Sequence, residues 1–465
     1  MSSAAIARRW RPSPSTAAAV RVAAASSRPA APPDVDVETT AVVTSFLLRR
    51  GPGGPRLLLL RRSARVGTYR GRWAGISGYL EGPEPLRQAL REIEEEAGLS
   101  PEDVRLLRAG EPLPVPDPAL GRRWLVHPFL FELLPGRAPR LDWEHTRARW
   151  ARPETVFLLP TVPRLPEALQ RVYPLVGEGV EATARALAQD RQRGARELAA
   201  AALDQLALAA DRSPMRLRAS ACYLARARPA VPAIALAVAH AYARARSVPH
   251  AASAIQAFRQ AMGDALREAA ACAAGRLPSG AVLTYSRSSS VTAALLARRP
   301  ARVLVSEGRP GQEGVALARE LTNAGVPVTL AADVALPALV AEAEAVVVGA
   351  DALLADGSFL NKTGTFPLAL AARRFGVPFY VVAETWKVLP PRVAPLVEEW
   401  ELDVPAMGGA GVGASFRPFE TTPGTLVTAY LTEDGPLPPR ALRPYSLRAR
   451  EAWRVLFGRP AADLA

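Results

Sequence analysis

Three glutamates, Glu92, Glu95 and Glu96, fall within about 100° of one another if the segment around them is a helix turning 100° per residue. Three clustered carboxylates repel unless something neutralises them. A hard divalent cation, magnesium or manganese, does so through carboxylate oxygens and prefers to share its shell with substrate phosphates. A cation that bridges phosphate oxygens and orients water hydrolyses a diphosphate. A second set of reactive types follows the apolar run Ala345–Val348: Asp351, then Asn361 and Lys362 ahead of Thr363, Gly364 and Thr365. Of 58 basic residues only two are lysines, Lys362 and Lys387. A lysine kept where arginine has otherwise taken over points to a need for a flexible point charge. Backbone N–H groups at the helix start after Gly364 would suit a phosphate.

The elements that position these residues can be read from pattern. Pro85 suits the first turn of the acidic helix and Gly98 its C-terminal stop. Leu86, Leu90, Ile93 and Ala97 share one stripe, the expected buried face. Before it, Thr40–Leu48 and Arg56–Leu60 flank a Gly/Pro turn as a hairpin, and Trp124–Leu133 is a further strand. The Pro-rich stretch 153–166 is an expected domain edge. Residues 165–275 are rich in Ala, Leu and Arg at helical spacing, interrupted near Arg193–Ala195 and Ala225–Pro229. From Ala281 strands alternate with helices: Ala281–Tyr285, Arg302–Ser306, Val326–Ala331, Ala345–Val348, Pro378–Ala383 and Leu426–Leu431. That alternation predicts a doubly wound parallel sheet, Rossmann-like, with ligands at the carboxyl ends of its strands. Those ends carry Ser286, Ser288, Glu307, Arg309, Asp333, Asp351 and Glu384, with Lys387 just beyond. A small polyhydroxylated phosphate ester would suit them.

Composition sets the remaining bounds. The net charge is +14, but the arginines are scattered and do not form a stripe, so nucleic acid is not the expected partner. No run is long and apolar enough to span a membrane. Two cysteines, Cys222 and Cys272, lie in Ala-rich helical sequence and form no disulfide framework, which fits a reducing cytoplasm. Residues 1–35 are Ala, Ser, Pro and Arg without an acid before Asp34; that composition cannot fill a core and is expected as a disordered tail. A targeting segment and a displaced start codon are the other readings. Residues 441–465 are expected as a C-terminal tail.

The segment Arg91-Glu92-Ile93-Glu94-Glu95-Glu96-Ala97-Gly98-Leu99 resembles the second half of the Nudix box at every specified position. The resemblance implies that Glu92, Glu95 and Glu96 bind catalytic metal and that Arg91 orients the acids. The first half departs from the box. Gly78 and Glu84 keep the five-residue separation, but six residues, not seven, separate Glu84 from Arg91. Either the loop is one residue shorter or Ser77 and Pro83 take the Gly and Glu positions. The implied fold over residues 36–160 is a Nudix α/β/α sandwich.

Residues 165–440 resemble the superfamily of initiation factor 2B regulatory subunits, methylthioribose-1-phosphate isomerase and ribose-1,5-bisphosphate isomerase. The stretches that carry it are LTYSRSSSV at 283–291, SEGRPGQEG at 306–314, GADALLADGSFLNKTGT at 349–365, PFYVVAETWK at 378–387 and FETTPGTLVTAYLTEDG at 419–435, with RGA at 193–195 and RARP at 226–229. The resemblance implies a helical subdomain over 165–275, a Rossmann-like domain over 276–440, and assembly as a homodimer or larger. It implies phosphate binding by Arg193, Gly194, Arg228, Asn361 and Lys362. In the isomerases an aspartate at the position of Asp351 and a cysteine in the first turn move the proton or hydride; here the cysteine position holds Ser286. Three readings stay open: a Nudix hydrolase fused to a domain that senses a phosphometabolite, a bifunctional hydrolase–isomerase, and a non-catalytic translation-related oligomer.

Overall fold

The computed structural model describes residues 39–117, 120–210, 214–393, 400–401 and 415–458. The tail expected over residues 1–35 lies outside them.

The N-terminal part is built on one eight-stranded sheet. Its strands are β1 (Thr39–Arg49), β2 (Arg56–Arg62), β3 (Trp73–Ala74) and β4 (Ile76–Tyr79), then, after helix α1 (Pro85–Ala97), β5 (Val104–Ala109), β6 (Leu113–Asp117), β7 (Arg122–Leu133) and β8 (His145–Ala151). The main order is β3-β2-β1-β7-β5, with β4 on β1, β6 on β7 and β8 on β2. β1 and β7 run parallel in a long ladder from Thr39↔Arg123 to Leu48↔Glu132. Alternation along β1 sends Val43 and Leu47 to one face and Phe46 and Leu48 to the other. The first face packs on α1 through Ala89, Ile93 and Ala97.

The buried stripe of α1 is rotated from the expected one. Leu86 is 39% exposed, whereas Glu96 is 3% exposed. The helix rolls so that an acid, not a leucine, faces inward.

Seven helices follow: α2 (Leu165–Val172), α3 (Glu178–Gln189), α4 (Ala195–Leu208), α5 (Pro214–Ala225), α6 (Pro232–Ala245), α7 (Ala251–Arg276) and, after β9 (Ala281–Thr284), α8 (Ser289–Arg298). α6 is apolar nearly all round and is buried along its length, as the centre of a bundle must be. The second face of the N-terminal sheet does not end in solvent at the Pro-rich stretch. Phe46, Leu59, Val156 and Phe157 belong to one apolar cluster with Leu169 of α2, Leu203 of α4 and Ile234 of α6.

The remaining elements are β10 (Arg302–Ser306), α9 (Glu313–Asn323), β11 (Val328–Ala331), α10 (Leu336–Leu339), β12 (Ala345–Gly349), β13 (Ala352–Leu353), β14 (Phe359–Lys362), α11 (Thr365–Phe375), β15 (Phe379–Val382), β16 (Trp400–Glu401), β17 (Ser415–Phe416), β18 (Phe419–Thr422), β19 (Ala429–Thr432), β20 (Gly435–Leu437) and α12 (Arg443–Phe457). The large sheet has order β11-β10-β9-β12-β15-β19-β20, parallel except for β20. The order reverses between β9 and β12, which makes their carboxyl ends a topological switch point. Val346, Val348 and Phe379 pack on one face, and Val347, Tyr380 and Val382 on the other.

The expectation of a tail beyond residue 440 is corrected. α12 packs in the bundle against α6, with Trp453 and Leu456 fully buried. Its apolar residues recur at Ala449, Ala452, Trp453, Leu456 and Phe457, a helical stripe masked in sequence by interleaved arginines. Trp453→Ala is expected to cost about 3–5 kcal/mol through lost transfer and cavity terms. The drop in urea midpoint on the full chain measures it; a midpoint unchanged from wild type would mean that α12 is not integral to the bundle.

Candidate functional sites

The first site lies where α1 crosses the ends of β4 and β8. A Cβ at Gly78 would come within 1.9 Å of the Glu92 carboxylate, so any side chain there would displace Glu92 from its present position. Gly78 thus abuts Glu92 directly. Glu92 accepts a hydrogen bond from Gln88 Nε2 at 2.7 Å. Glu95 is exposed. Glu96 Oε1 accepts from the backbone N–H of Ser77 at 3.4 Å. Burial pushes the Glu96 carboxyl well above the usual range, helped by Glu144 and Glu92. Burial also raises Glu92, with Glu95 and Glu144 adding to it, while Gln88 opposes.

Sequence reasoning missed Asp142, Glu144 and His145. They lead into β8, which only its pairing with β2 brings beside α1. Burial raises Glu144, with Asp142 adding to it. His145 Nδ1 stands 3.2 Å from Asp142 Oδ1, and its Nε2 stands 3.6 Å from Glu96 Oε2. Burial lowers the His145 pKa. Among the described residues, Glu96 Oε2 and His145 Nε2 are both buried without a hydrogen-bond partner.

Arg91 does not reach the acids; it pairs with Glu81 at 3.1 Å, both side chains exposed. Glu84 caps α1 without a side-chain hydrogen bond and lines a groove of about 370 Å³ with Arg87, Gln88 and Arg91.

Among the described residues no three acid, histidine or cysteine side chains converge closely enough to enclose an ion as they stand. The donor set nevertheless fits one. Glu92, Glu144 and Asp142 press on Glu96, whose Oε2, without a hydrogen-bond partner among the described residues, faces the likewise unpartnered His145 Nε2, an arrangement a hard cation relieves. Glu92, Glu95 and Glu96 would hold it, with Glu144 facing them. A divalent cation supplies charge neutralisation for diphosphate oxygens and an activated water. The chain's own part is to position the acids: Gly78 clears space for Glu92, Gln88 orients it, and Ser77 fixes one oxygen of Glu96.

The second site is a cavity of about 130 Å³ at the switch point of the parallel sheet. Tyr285 to Ser290 leave β9, Gly349 to Asp351 leave β12, and Asn361 and Lys362 end β14; Glu313 of α9 and Ala195 and Arg196 of α4 close it. Ser286 holds φ 61°, a left-handed conformation that costs a non-glycine residue on the order of 1 kcal/mol. It faces the same cavity as Asp351. Asp351 is partly open to that cavity and otherwise enclosed by protein. Burial pushes its carboxyl up to about 6, against the opposing pull of Lys387, Arg228 and Lys362.

Both lysines are partnered. Lys362 Nζ donates to the carbonyl of Gly308 at 3.0 Å and pairs with Glu313. Lys387 Nζ donates to the carbonyl of Ala350 at 3.2 Å and pairs with the buried Glu384 at 2.7 Å. Glu384 in turn accepts from Ser290 Oγ at 2.7 Å. Asn361 Nδ2 bonds Thr365 Oγ1 at 3.0 Å, which ties β14 to the start of α11.

Several expected phosphate contacts are spoken for. The backbone N–H groups of Gly364 and Phe366, at the start of α11, donate to Glu420 Oε1 at 2.8 and 2.7 Å. Glu420 is thus an internal anion where a ligand phosphate was expected. Gly364, at φ 109°, has Tyr285 so close that a Cβ would meet its hydroxyl at 2.7 Å and its ring at 2.8 Å. Arg193 pairs with Asp190 at 2.6 Å; burial opposes ionisation of that acid, but Arg193 and Gln192 outweigh it and hold the carboxyl at about 2. Gly194 donates to Glu197 at 3.2 Å. Neither Arg193 nor Gly194 lines the cavity; their neighbours Ala195 and Arg196 do. Arg309 pairs with Glu307 at 3.1 Å, away from the lining. Arg228 is buried, donates to the carbonyl of Asp190, and is felt electrostatically by Asp351.

Two classes are therefore joined in one chain: an acid-lined α/β/α sandwich and a doubly wound module with a switch-point cavity. The family model for the NUDIX domain matches residues 39–172, and that for the Initiation factor 2 subunit family matches residues 191–439. The chain belongs to the Initiation factor 2 subunit family and carries an N-terminal NUDIX domain. The NUDIX match takes in α2, which sequence spacing assigned to the helical portion. The chain is 37% identical over 286 residues to the methylthioribose-1-phosphate isomerase of Anaeromyxobacter dehalogenans, spanning 55% of this chain and 84% of that protein. It is 32% identical over 308 residues to the ribose 1,5-bisphosphate isomerase of Haloterrigena turkmenica, spanning 58% and 93%. The crystal structure of translation initiation factor eIF-2B from Pyrococcus horikoshii superposes with TM-score 0.50 at 26% identity, over 57% of this chain and 99% of that one. Among the described residues no helix is long and apolar enough to cross a membrane.

Proposed function

We propose that this chain is a magnesium-dependent hydrolase of a nucleoside diphosphate-linked metabolite, joined to a domain that binds a sugar phosphate and senses it. The observation that carries the first half is the set of mutually destabilised acids around Glu96, whose buried Oε2 has no hydrogen-bond partner among the described residues. The second half rests on the switch-point cavity, where Asp351, Asn361 and Lys362 meet a hydroxyl-rich turn. A nucleoside diphosphate sugar is a substrate whose hydrolysis would release the neighbour's ligand. The cytoplasm and assembly as a homodimer or larger through the C-terminal module complete the proposal. A second reading, aldose-phosphate to ketose-phosphate isomerisation, is favoured by one observation: a carboxyl at about 6 is poised to give and take protons near neutral pH.

A metabolite screen with magnesium, recording phosphate release and ketose formation separately, tests the two halves. Release of a phosphate product from diphosphates is expected, with ketose formation slow or absent; no magnesium-dependent release from any diphosphate would remove the hydrolase. For the cavity, Lys362→Ala is expected to weaken sugar-phosphate binding by about 1.5–3 kcal/mol, the range for a hydrogen bond to a charged group. Lys362→Arg should restore only part, because a planar fork does not fit between Glu313 and the Gly308 carbonyl as a point charge does. Equal calorimetric affinity in wild type and Lys362→Ala would take Lys362 out of the site.

A further inference from the structure

The acid face of α1 offers oxygen alone: Glu92, Glu95 and Glu96, with Glu144 facing them. One buried group beside it is nitrogen. The His145 side chain is 1% exposed and that of Glu96 4% exposed. His145 Nε2 stands 3.6 Å from Glu96 Oε2, too far for a hydrogen bond. Neither atom has a hydrogen-bond partner among the described residues.

The other ring nitrogen fixes what Nε2 can do. Nδ1 lies 3.2 Å from Asp142 Oδ1. A carboxylate oxygen only accepts, so Nδ1 carries the proton and Nε2 presents a bare lone pair. Asp142 is itself held, its Oδ1 accepting from the backbone N–H of Glu144 at 3.0 Å. A carboxylate on one ring nitrogen and a free lone pair on the other is how a histidine is oriented towards a metal ion. The backbone contributes too. β8 pairs Arg147 with Arg61 but His145 with Arg62, which leaves Thr146 as an extra residue. A bulge of this kind re-aims the side chain beside it. Thr146 and Arg147 are both exposed, while His145 is buried. The pair also adjoins acids that reach solvent. Glu96 feels the charges of Glu144 and Glu92, both partly exposed, and Glu95 on the same face is exposed.

We propose that His145 is a metal ligand through Nε2, beside Glu96, so that the acid face is a mixed nitrogen–oxygen site that takes a first-row transition-metal dication such as manganese ahead of magnesium. The proposal rests on the reading that this face binds a divalent cation at all. Two facing lone pairs with nothing between them repel, and an ion that accepts both relieves them. Imidazole nitrogen suits the transition dications, whereas magnesium keeps to oxygen ligands and water. A protonated Glu96 donating to Nε2 would satisfy both atoms without an ion, but at 3.6 Å that bond is not made.

The test uses the full chain, freed of metal by chelation, with manganese and magnesium ions as probes, in wild type and His145→Phe. Pulsed electron paramagnetic resonance of bound manganese reports whether a nitrogen is bonded to it. Wild type is expected to show that nitrogen coupling and His145→Phe to lose it. By calorimetry, His145→Phe should weaken manganese binding by about tenfold or more, since even the outer-shell partners of a metal ligand are worth about 10–100-fold. Magnesium affinity should shift by no more than about twofold, because its ligands are oxygens. The inference falls if manganese binds wild type without nitrogen coupling, or if the coupling survives in His145→Phe. It falls equally if the variant weakens both ions alike, the mark of a histidine that only supports the fold. Should His145→Phe fail to fold, His145→Gln takes its place, with the same coupling expected to vanish. Wild type that binds neither ion overturns the divalent-cation reading as well; binding of both ions without nitrogen coupling overturns only the role of His145.

Discussion

Glu96→Gln is expected to lower magnesium-dependent diphosphate hydrolysis by about 10²-fold or more while the protein stays folded. The substitution keeps the shape of the side chain and removes the charge. In its place Oε2 becomes part of a neutral amide opposite His145 Nε2, where a cation would lose a ligand. The fold has no reason to suffer. Burial already disfavours the charged form of Glu96, so in metal-free protein a neutral isostere relieves rather than creates a buried charge. Hydrolysis and melting measured on the same preparation separate the two effects. Turnover equal to wild type would remove Glu96 from the metal face; lost turnover with lost folding would make its role structural.

Ser286→Cys is expected to gain ketose-phosphate formation by about 10²-fold over a slow wild type, within the range a positioned acid–base group contributes. A thiol titrates near 8.5, whereas a serine hydroxyl does not titrate in the working range. Asp351, at about 6, faces the same cavity and would supply the other half of a proton-transfer pair. The assay follows ketose formation from ribose 1,5-bisphosphate and methylthioribose 1-phosphate, with Asp351→Asn as the control. Rapid wild-type turnover that Asp351→Asn abolishes would replace the sensor by a bifunctional enzyme. A silent Ser286→Cys that still binds ligand would mean that the cavity lacks more than a thiol.

Periodic signals were legible. The alternation of strand and helix from Ala281 gives the doubly wound sheet, and the spacing of Glu92, Glu95 and Glu96 marks the acid face of α1. What pattern does not carry is which side chain answers which. The roll of α1 that buries Glu96 and exposes Leu86 depends on how the helix packs across β1 and β4, which spacing along the helix does not carry. Glu144 and His145 enter the first site only through the β2–β8 pairing, some 50 residues from the acidic helix in sequence. Arg193 and Arg309 looked free in sequence because Asp190 and Glu307, their partners, are ordinary neighbours in an arginine-rich chain. Glu420 was unreadable as a cap because the antiparallel contact of β14 with β18 delivers it from 56 residues away. α12 was hidden by composition: arginines between its apolar positions gave the look of a solvated end.

The apolar cluster that runs from Phe46 and Leu59 through α2 into α4 and α6 has a consequence for how the chain comes apart. The NUDIX domain and the helical bundle share one core there, so a substitution that destabilises the N-terminal sheet is expected to loosen the bundle behind it. A ligand that tightens the far cavity is expected to reinforce the sheet in turn. The two parts should then melt together in one cooperative transition, where a solvated linker would let them melt in two.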